Sequence, residues 1–329
     1  MCPSLPFRAE REGPNRDGDW EGEVGFGERS GIPHLTLPSP PPGAERDRVG
    51  AGVVSNREVR RFGERKFSPA RVWAMLLRYL YILRSSWPRT IELLYWPTLQ
   101  MMIWGFMSQF LRGNSSYIAH AFGVLLAAVM LWDLLFRSQL GLSISFLEEM
   151  WSRNLGQLFV TPLRPYEWVI SLLAMSVIRA GIGVVPAMLL AIPLYHYSIF
   201  DMGPALVAFI VVLMGMGWAL GLAICGGILR HGMGAEGLAW TVIFAIAPLS
   251  CVYYPITTLP AWLRPVAWAL PSTHVFEGMR AVMFEHTFRT DYFLGAVALD
   301  LVYLAIGALI FAIAFRDASR RGALLQMGE

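Results

Sequence analysis

From residue 91 onward, long apolar segments alternate with short polar ones. Six of the apolar segments contain about 20 residues, which is the length that an α-helix needs to cross the hydrocarbon core of a bilayer. They predict six membrane spans, at 91–111, 117–136, 168–194, 204–229, 237–257 and 293–315. The pattern therefore predicts an all-α membrane protein with six transmembrane helices.

A shorter apolar segment, RVWAMLLRYLYIL, begins at Arg71 and is followed by Arg84 and Pro88. It is too short to cross a bilayer. Arg71, Arg78 and Ser85 are spaced seven residues apart, which places them on one face of a helix. We therefore expect an N-terminal interfacial helix that lies along the membrane surface.

The overall composition agrees with these spans, and the composition of the first 66 residues differs from that of the rest of the chain. Of the 329 residues 55% are hydrophobic and only 16% are charged, against about 25% charged residues in soluble proteins. Segment 1–66, in contrast, is rich in Gly and Pro, carries many charges of both signs and has no periodic apolar face. We expect it to be a disordered N-terminal extension, and we expect 67–329 to form the membrane domain.

The distribution of basic residues predicts the orientation of the spans, because short cytoplasmic loops carry an excess of Lys and Arg. If the N-terminus is inside, only Arg112, Arg264, Arg280 and Arg289 fall on the outer side, and most of the other basic residues outside segment 1–66 fall on the inner side. Both termini are therefore predicted to be cytoplasmic.

The loop between the second and third predicted spans contains a segment with helical periodicity at 146–158. Leu147, Trp151, Leu155 and Leu158 fall on one stripe of such a helix, while Glu148, Glu149, Ser152 and Arg153 fall on the other side. Pro162 and Pro165 would end the helix before the next span. We expect an in-plane amphipathic helix that offers its carboxylates and an arginine to a cytosolic partner.

The segment before the last span, at about 259–283, is apolar but is interrupted by Pro260, Pro265 and Pro271. Arg264, Glu277 and Arg280 also make it a poor spanning helix; two short helices that dip into the outer leaflet fit better.

Two segments carry a resemblance to a known family. LEEMWSRNLGQLFVTPLRPYEW, from Leu147, resembles the cytoplasmic segment of permease subunits of type-2 ABC exporters: an acidic residue, then L-x-x-L-x-V-x-P-L and a further acidic residue. LPAWLRPVAWALPSTHVFEGMR, from Leu259, resembles the extracytoplasmic re-entrant hairpin that this family has before its last span. The resemblance covers about 68–329 and identifies 67–329 as a six-span permease domain.

The resemblance implies that 146–158 is a coupling helix, which docks on a separate ATP-binding cassette ATPase subunit. The implied coupling residues are Glu148, Glu149, Trp151, Arg153 and Leu155, with Trp151 as the anchor. It also implies a permease homodimer in a lipid bilayer, which we expect to be the cytoplasmic (inner) membrane of a bacterium.

Ionisable residues within predicted spans are candidates for function. Arg179 and Asp300 lie at similar predicted depths in the third and sixth spans, so we expect them to form an intramembrane ion pair. Asp133 and Arg137 are four residues apart and can pair within one helix.

The chain lacks the motifs of an enzyme that binds ATP or metal. Its one lysine, Lys66, is not part of a G-x-x-x-x-G-K-[ST] loop, so the isolated chain is not expected to hydrolyse ATP. Its histidines form no H-E-x-x-H pair, and its cysteines have no spacing typical of metal ligands. No catalytic residues, cofactor, metal or nucleic-acid partner are predicted.

Two other function classes are open at this point. A secondary transporter driven by an ion gradient usually needs several intramembrane carboxylates or broken helices, and only Asp133 and Asp300 are available. A membrane scaffold that transports nothing would leave the cytoplasmic helix without an ATPase partner. The pattern does not specify the substrate, so a polysaccharide, a lipid-linked oligosaccharide, a drug and a signalling lipid all stay open.

Overall fold

The computed structural model describes residues 67–114 and 116–321, and these fold into α-helices joined by short loops, with no β-strand among them. The predicted disorder of segment 1–66 lies outside the described residues. The α-helices are α1 Pro69–Ser85, α2 Trp87–Asn114, α3 Ser116–Trp151, α4 Leu155–Val160, α5 Pro165–Tyr195, α6 Pro204–His231, α7 Leu238–Ile246, α8 Arg264–Trp268, α9 Pro271–Glu285 and α10 Thr290–Arg320. Short 3-10 turns occur at Ile199–Met202, Met233–Ala235 and Ile256–Thr258.

Prolines and left-handed residues mark the helix boundaries. Proline is the first residue of α1, α5, α6 and α9, where its missing N–H costs no helical hydrogen bond. At the other ends, His196 stops α5 with φ 52°, and Gly232 stops α6 with φ 77°. His196 adopts the left-handed helical conformation that commonly ends helices, and Gly232 has a positive φ that glycine adopts without steric cost.

Four helices of the described chain are long and apolar enough to cross a membrane. They span Gly123–Trp151, Pro165–Tyr195, Pro204–His231 and Thr290–Arg320. The first predicted span lies in α2, which is 28 residues long but has polar residues and an internal Pro97. In the fifth predicted span the regular helix α7 has only 9 residues, and turns follow it. Helix length and composition therefore do not confirm the predicted number of six spans.

The contacts between helices show in which direction each one runs. Backbone of α6 near Gly226 lies against Ile310 of α10, and Gly307 of α10 lies against Ala219 of α6, so these two helices are parallel. Helix α3 is also parallel to α6, because Gly217 contacts Ser138 and Gly221 contacts Leu142.

Helices α2 and α5 are parallel to each other and run opposite to α3. Gly183 of α5 approaches Leu93 of α2, and Tyr195 of α5 lies over Gly105 of α2. Gly123 of α3 lies against Tyr197, just after the end of α5, whereas Gly141, eighteen residues farther along α3, contacts Ser176 within α5. The chain directions thus alternate from α2 through α6.

Two short helices, α8 and α9, occupy the segment predicted to be a hairpin, and one arginine holds α9 in place. The guanidinium of Arg280 donates to the carbonyl oxygens of Cys251, Val252 and Tyr254 and pairs with Glu277 at 3.0 Å. Glu277 also accepts a hydrogen bond from the backbone N–H of Ile256, at 2.8 Å. Helix α9 is therefore fixed to the loop that follows α7.

Candidate functional site

The segment between α3 and α5 is not the single helix that the sequence pattern predicts over 146–158. Helix α3 ends at Trp151, and α4 begins at Leu155. Between them Arg153 has φ 53°, and the backbone N–H of Asn154 turns back to donate to the carbonyl of Glu149, at 3.1 Å. A non-glycine residue in the left-handed region cannot continue a right-handed helix, so the prediction of one continuous in-plane helix is wrong.

Glu149, on the last turns of α3, is buried and accepts hydrogen bonds from two side chains. Its carboxylate forms an ion pair with Arg78 of α1 at 2.8 Å, and Arg78 donates a hydrogen bond to it at 3.0 Å. The amide of Asn154, in the turn after α3, donates the other hydrogen bond at 3.1 Å. Glu149 thus connects α1 to the turn after α3, and its side chain is buried rather than exposed to solvent.

Glu148, the neighbouring carboxylate, joins α3 to two other helices. It pairs with Arg179 of α5 at 2.9 Å and with Arg89 of α2 at 3.1 Å. The side chain of Glu148 is only 15% exposed, so its carboxylate also points into the bundle rather than toward a partner.

The same contact corrects the predicted intramembrane pair between Arg179 and Asp300. Arg179 is bound to Glu148, while Asp300 of α10 lies beside Gly215 of α6. Within the described part of the chain Oδ1 of Asp300 has no hydrogen-bond partner. The other intramembrane prediction is confirmed, since Asp133 and Arg137 pair within α3 at 2.8 Å.

Glu167, in the first turn of α5, is the third buried glutamate of this region. Arg71 of α1 donates to both of its oxygens, at 2.8 and 2.6 Å. The backbone N–H groups of Ser68 and Arg164 donate at 3.0 and 3.1 Å, the second of which satisfies a free donor at the start of α5. We call Glu148, Glu149 and Glu167 the carboxylate cluster; it connects α1, α2, α3 and α5.

An apolar layer supports the carboxylate cluster. Its buried side chains include Phe146, Leu147, Leu155, Leu158 and Trp168, together with Met75, Leu76 and Leu83 of α1. The indole N–H of Trp168 donates to the hydroxyl of Tyr79, at 2.9 Å. Burial raises the pKa of Tyr79, and the nearby Glu149 raises it further. Helix α1 is therefore attached to the bundle by two ion pairs and one buried aromatic contact.

The residues that remain exposed here lie at the break itself. Trp151 is 51% exposed, and Ser152, Arg153, Gln157 and Thr161 are also exposed. We call these five residues the turn surface. Of the predicted coupling residues, Trp151 and Arg153 lie on this surface, whereas Glu148, Glu149 and Leu155 lie beneath it.

Sequence reasoning missed the partners of the carboxylate cluster, although signals for two of them were present. Arg71 and Arg78 are seven residues apart and were placed on one helix face, and both bind glutamates. Glu167 is the further acidic residue of the LEEMWSRNLGQLFVTPLRPYEW motif, which gives no sign of its partner. Arg89 gave no periodic signal.

No group of three or more His, Cys, Asp or Glu side chains within 67–114 and 116–321 could hold a metal ion. The site consists instead of ion pairs that join helices and an exposed aromatic residue beside an arginine. Such an arrangement can transmit force or bind another protein, and it contains no nucleophile paired with a base.

The bundle of long apolar helices, with its charged cluster at one end, is typical of a multi-pass membrane protein. A comparison with family models identifies the family: the model of the ABC-2 type transporter matches residues 72–284. The chain therefore belongs to the ABC-2 type transporter family, the membrane components of ABC transporters. The comparison with curated proteins gives no match.

Proposed function

We propose that the chain is the transmembrane subunit of an ATP-driven ABC exporter and that a separate ATPase subunit docks on the turn surface. The observation that carries this proposal is the exposure of Trp151 and Arg153 at the end of α3, within the matched family segment. Tryptophan and arginine are the residues most often found at the centres of protein interfaces. An exposed pair of them on a rigid support suits a docking point.

The connections beneath the turn surface favour transmission of movement into the bundle. Helix α3 contains 36 residues and is about 54 Å long at 1.5 Å per residue. Glu148 ties its end to α5 through Arg179 and to α2 through Arg89, while Glu149 ties it to α1. A displacement of Trp151 would therefore move several helices together. In this proposal Glu148, Glu149 and Leu155 position the docking surface and do not contact the ATPase.

We further propose six membrane crossings with both termini in the cytoplasm. The alternating directions of α2, α3, α5 and α6 support four of them. Since α10 runs parallel to α6, the chain between them must return to the end of the bundle at which α6 begins, which supports a fifth crossing through α7 and the turns after it. The charge distribution supports a cytoplasmic position for the carboxylate cluster.

The proposed working unit is a homodimer of this chain with two ATPase subunits, in the bacterial cytoplasmic membrane. The exposed sides of α2 and α7 carry large apolar and aromatic residues, among them Trp96, Phe106, Trp240 and Phe244. Such a face can pack against lipid or against a second copy. We propose that an amphipathic or polymeric substrate passes between two copies.

The test is purification of the tagged chain from its native membrane in mild detergent, with identification of bound proteins by mass spectrometry. The variant Trp151→Ala/Arg153→Glu alters the turn surface without breaking an ion pair of the carboxylate cluster. The matched control, Tyr81→Ala/Arg84→Glu, makes the same kinds of change at exposed residues of α1. Glu148 and Glu149 are unsuitable, because their replacement would disrupt internal ion pairs.

We expect a P-loop ATPase to be recovered with the wild type and the control, and its recovery to fall at least about tenfold with the turn-surface variant, which corresponds to a loss of about 1.4 kcal/mol. Equal recovery of the ATPase in all three samples would show that it does not dock on the turn surface. Absence of an ATPase from a folded wild-type sample would favour a transporter driven by an ion gradient.

A further inference from the structure

A groove of about 640 Å³ opens between the start of α5 and the end of α10. Its apolar walls include Val169 and Ile170 of α5, Leu222 of α6 and Phe311 of α10. Arg316 and Arg320 of α10 and Tyr166 of α5 line it as well. It is separate from the turn surface, since none of the five residues of that surface lines it.

The part of α10 that lines the groove changes from apolar to basic along one helix face. Ala308, Phe311, Ala312 and Phe315 come first, and then Arg316, Ser319 and Arg320. Spacings of three and four residues keep all seven on one side of the helix. The groove therefore has an apolar part toward the middle of α10 and a cationic end at its C-terminus.

The two arginines at the cationic end are available to a ligand. Arg316 and Arg320 are exposed, and neither forms an ion pair with any residue that the structure describes. One helical turn separates them, so both guanidinium groups can reach a single phosphate. Tyr166 adds a ring of the kind that is enriched at the boundary between membrane and water.

The length of this face matches one leaflet of a bilayer. From residue 308 to 320 α10 rises about 18 Å, and half of a hydrocarbon core is about 15 Å thick. The outer faces of α5 and α10 are apolar and exposed on either side, for example at Val177 and Leu309. An acyl chain could thus enter sideways from the bilayer with its headgroup at the arginines.

We propose that this groove binds an anionic phospholipid of the cytoplasmic leaflet, with its phosphate between Arg316 and Arg320 and one acyl chain against the apolar wall. Basic pockets between transmembrane helices on the cytoplasmic side bind anionic headgroups in this way. The inference rests on the proposed membrane orientation, and it does not depend on a coupled ATPase.

The test is native mass spectrometry of the purified, delipidated full chain after addition of phosphatidylglycerol or phosphatidylcholine. Arg316→Ala/Arg320→Ala removes the cationic end, and Ala312→Trp fills the apolar part at an unchanged charge. The matched control is Arg84→Ala/Arg321→Ala, which removes two exposed arginines outside the groove. Gel filtration checks that each variant is folded.

We expect the wild type and the control to bind one phosphatidylglycerol per chain at least about tenfold more tightly than phosphatidylcholine. Arg316→Ala/Arg320→Ala should remove this preference, and Ala312→Trp should weaken the binding of both lipids. Equal phosphatidylglycerol binding by the wild type and both groove variants would overturn the proposal. Full displacement of phosphatidylglycerol by millimolar inorganic phosphate would also overturn it, because the site would then accept a soluble anion.

Discussion

At the scale of single residues, Glu167 is the most completely satisfied carboxylate in the described chain. It is 0% exposed and accepts hydrogen bonds from the Arg71 side chain and from two backbone N–H groups. Its negative charge also compensates for the partial burial of Arg71, whose side chain is 21% exposed. The attachment of α1 to α5 therefore depends strongly on this one group.

Replacement Glu167→Gln should lower the free energy of unfolding by about 2–3 kcal/mol, because hydrogen bonds to a charged group are lost and Arg71 loses its buried carboxylate partner. Since α1 is released first, trypsin should cleave after Arg78 faster than in the wild type. Thermal unfolding in detergent and timed proteolysis measure the two effects. The control Glu92→Gln changes an exposed glutamate of α2 and should alter neither the thermal stability nor the rate of cleavage. An equal loss of stability in both variants would contradict the role of Glu167.

The partner of Arg179 can be tested by comparing two double-mutant cycles. The cycle of Arg179→Met with Glu148→Gln should give a coupling free energy of about 1–3 kcal/mol, because the two side chains are in direct contact. The cycle of Arg179→Met with Asp300→Asn should give less than about 0.5 kcal/mol, because these residues share no contact. Thermal or denaturant unfolding supplies the values. A larger coupling to Asp300 than to Glu148 would restore the pair that the sequence suggested.

At the scale of elements, the parallel helices α6 and α10 depend on close backbone approach. A Cβ atom at Gly307 would lie 2.3 Å from the carbonyl oxygen of Ala219, whereas one at Gly181 of α5 would meet nothing within 4 Å. Since backbone cannot move aside as a flexible side chain can, the two helices would have to separate to admit even one methyl group.

Gly307→Ala should therefore destabilise the protein by about 1–3 kcal/mol. Gly181→Ala makes the same chemical change within a helix and should be neutral or stabilising by up to about 1 kcal/mol, because alanine has the higher helix propensity. Thermal unfolding of both variants in one detergent compares them. A stability loss that is the same at both positions would show that the close approach of α6 and α10 is not the cause.

At the scale of elements, the sequence pattern predicted most of the long helices but not the contacts between them. Long apolar segments predicted α3, α5, α6 and α10, since hydropathy depends only on local composition. The seven-residue spacing of Arg71 and Arg78 predicted that they share one face of α1, but not that this face binds glutamates of the bundle. The break at Arg153 was missed, because the apolar periodicity continues through it and its positive φ has no glycine to signal it. Ion pairs such as Glu148 with Arg179 join residues 31 positions apart, which periodicity cannot detect.

At the scale of the whole molecule, the helix directions bring the arginine-rich helix ends to the same end of the bundle. Helices α3, α6 and α10 run one way, and α2 and α5 run the other way. The ends of α3 and α10 and the start of α5 carry the arginines that the positive-inside rule assigns to the cytoplasm. The return of the chain between α6 and α10 is the step on which the number of crossings depends. Near its end, Gly278 of α9 lies beside Phe209, in the first turns of α6.

Single cysteines placed on both sides of this return can test it directly. Cys2→Ser provides the background, because Cys225 and Cys251 are buried. Trp262→Cys, at a residue 76% exposed, and Thr287→Cys should react with an impermeant maleimide added outside intact cells. Gly234→Cys and Arg321→Cys, both at exposed positions, should react only after the membrane is permeabilised.

The contrast between positions 234 and 262 decides how many times the chain crosses, because α7 and the turns after it are the only part of the chain between them. If the two positions react from opposite sides, α7 with its turns completes a crossing, although its regular helix has only 9 residues. If both react from the same side, the chain does not cross there. Position 287 would then also be cytoplasmic, so α10 would have to run opposite to α6, against their parallel packing. Opposite-side labelling is the result we expect, since reversal of α10 would break its backbone contacts with α6 at both Gly226 and Gly307.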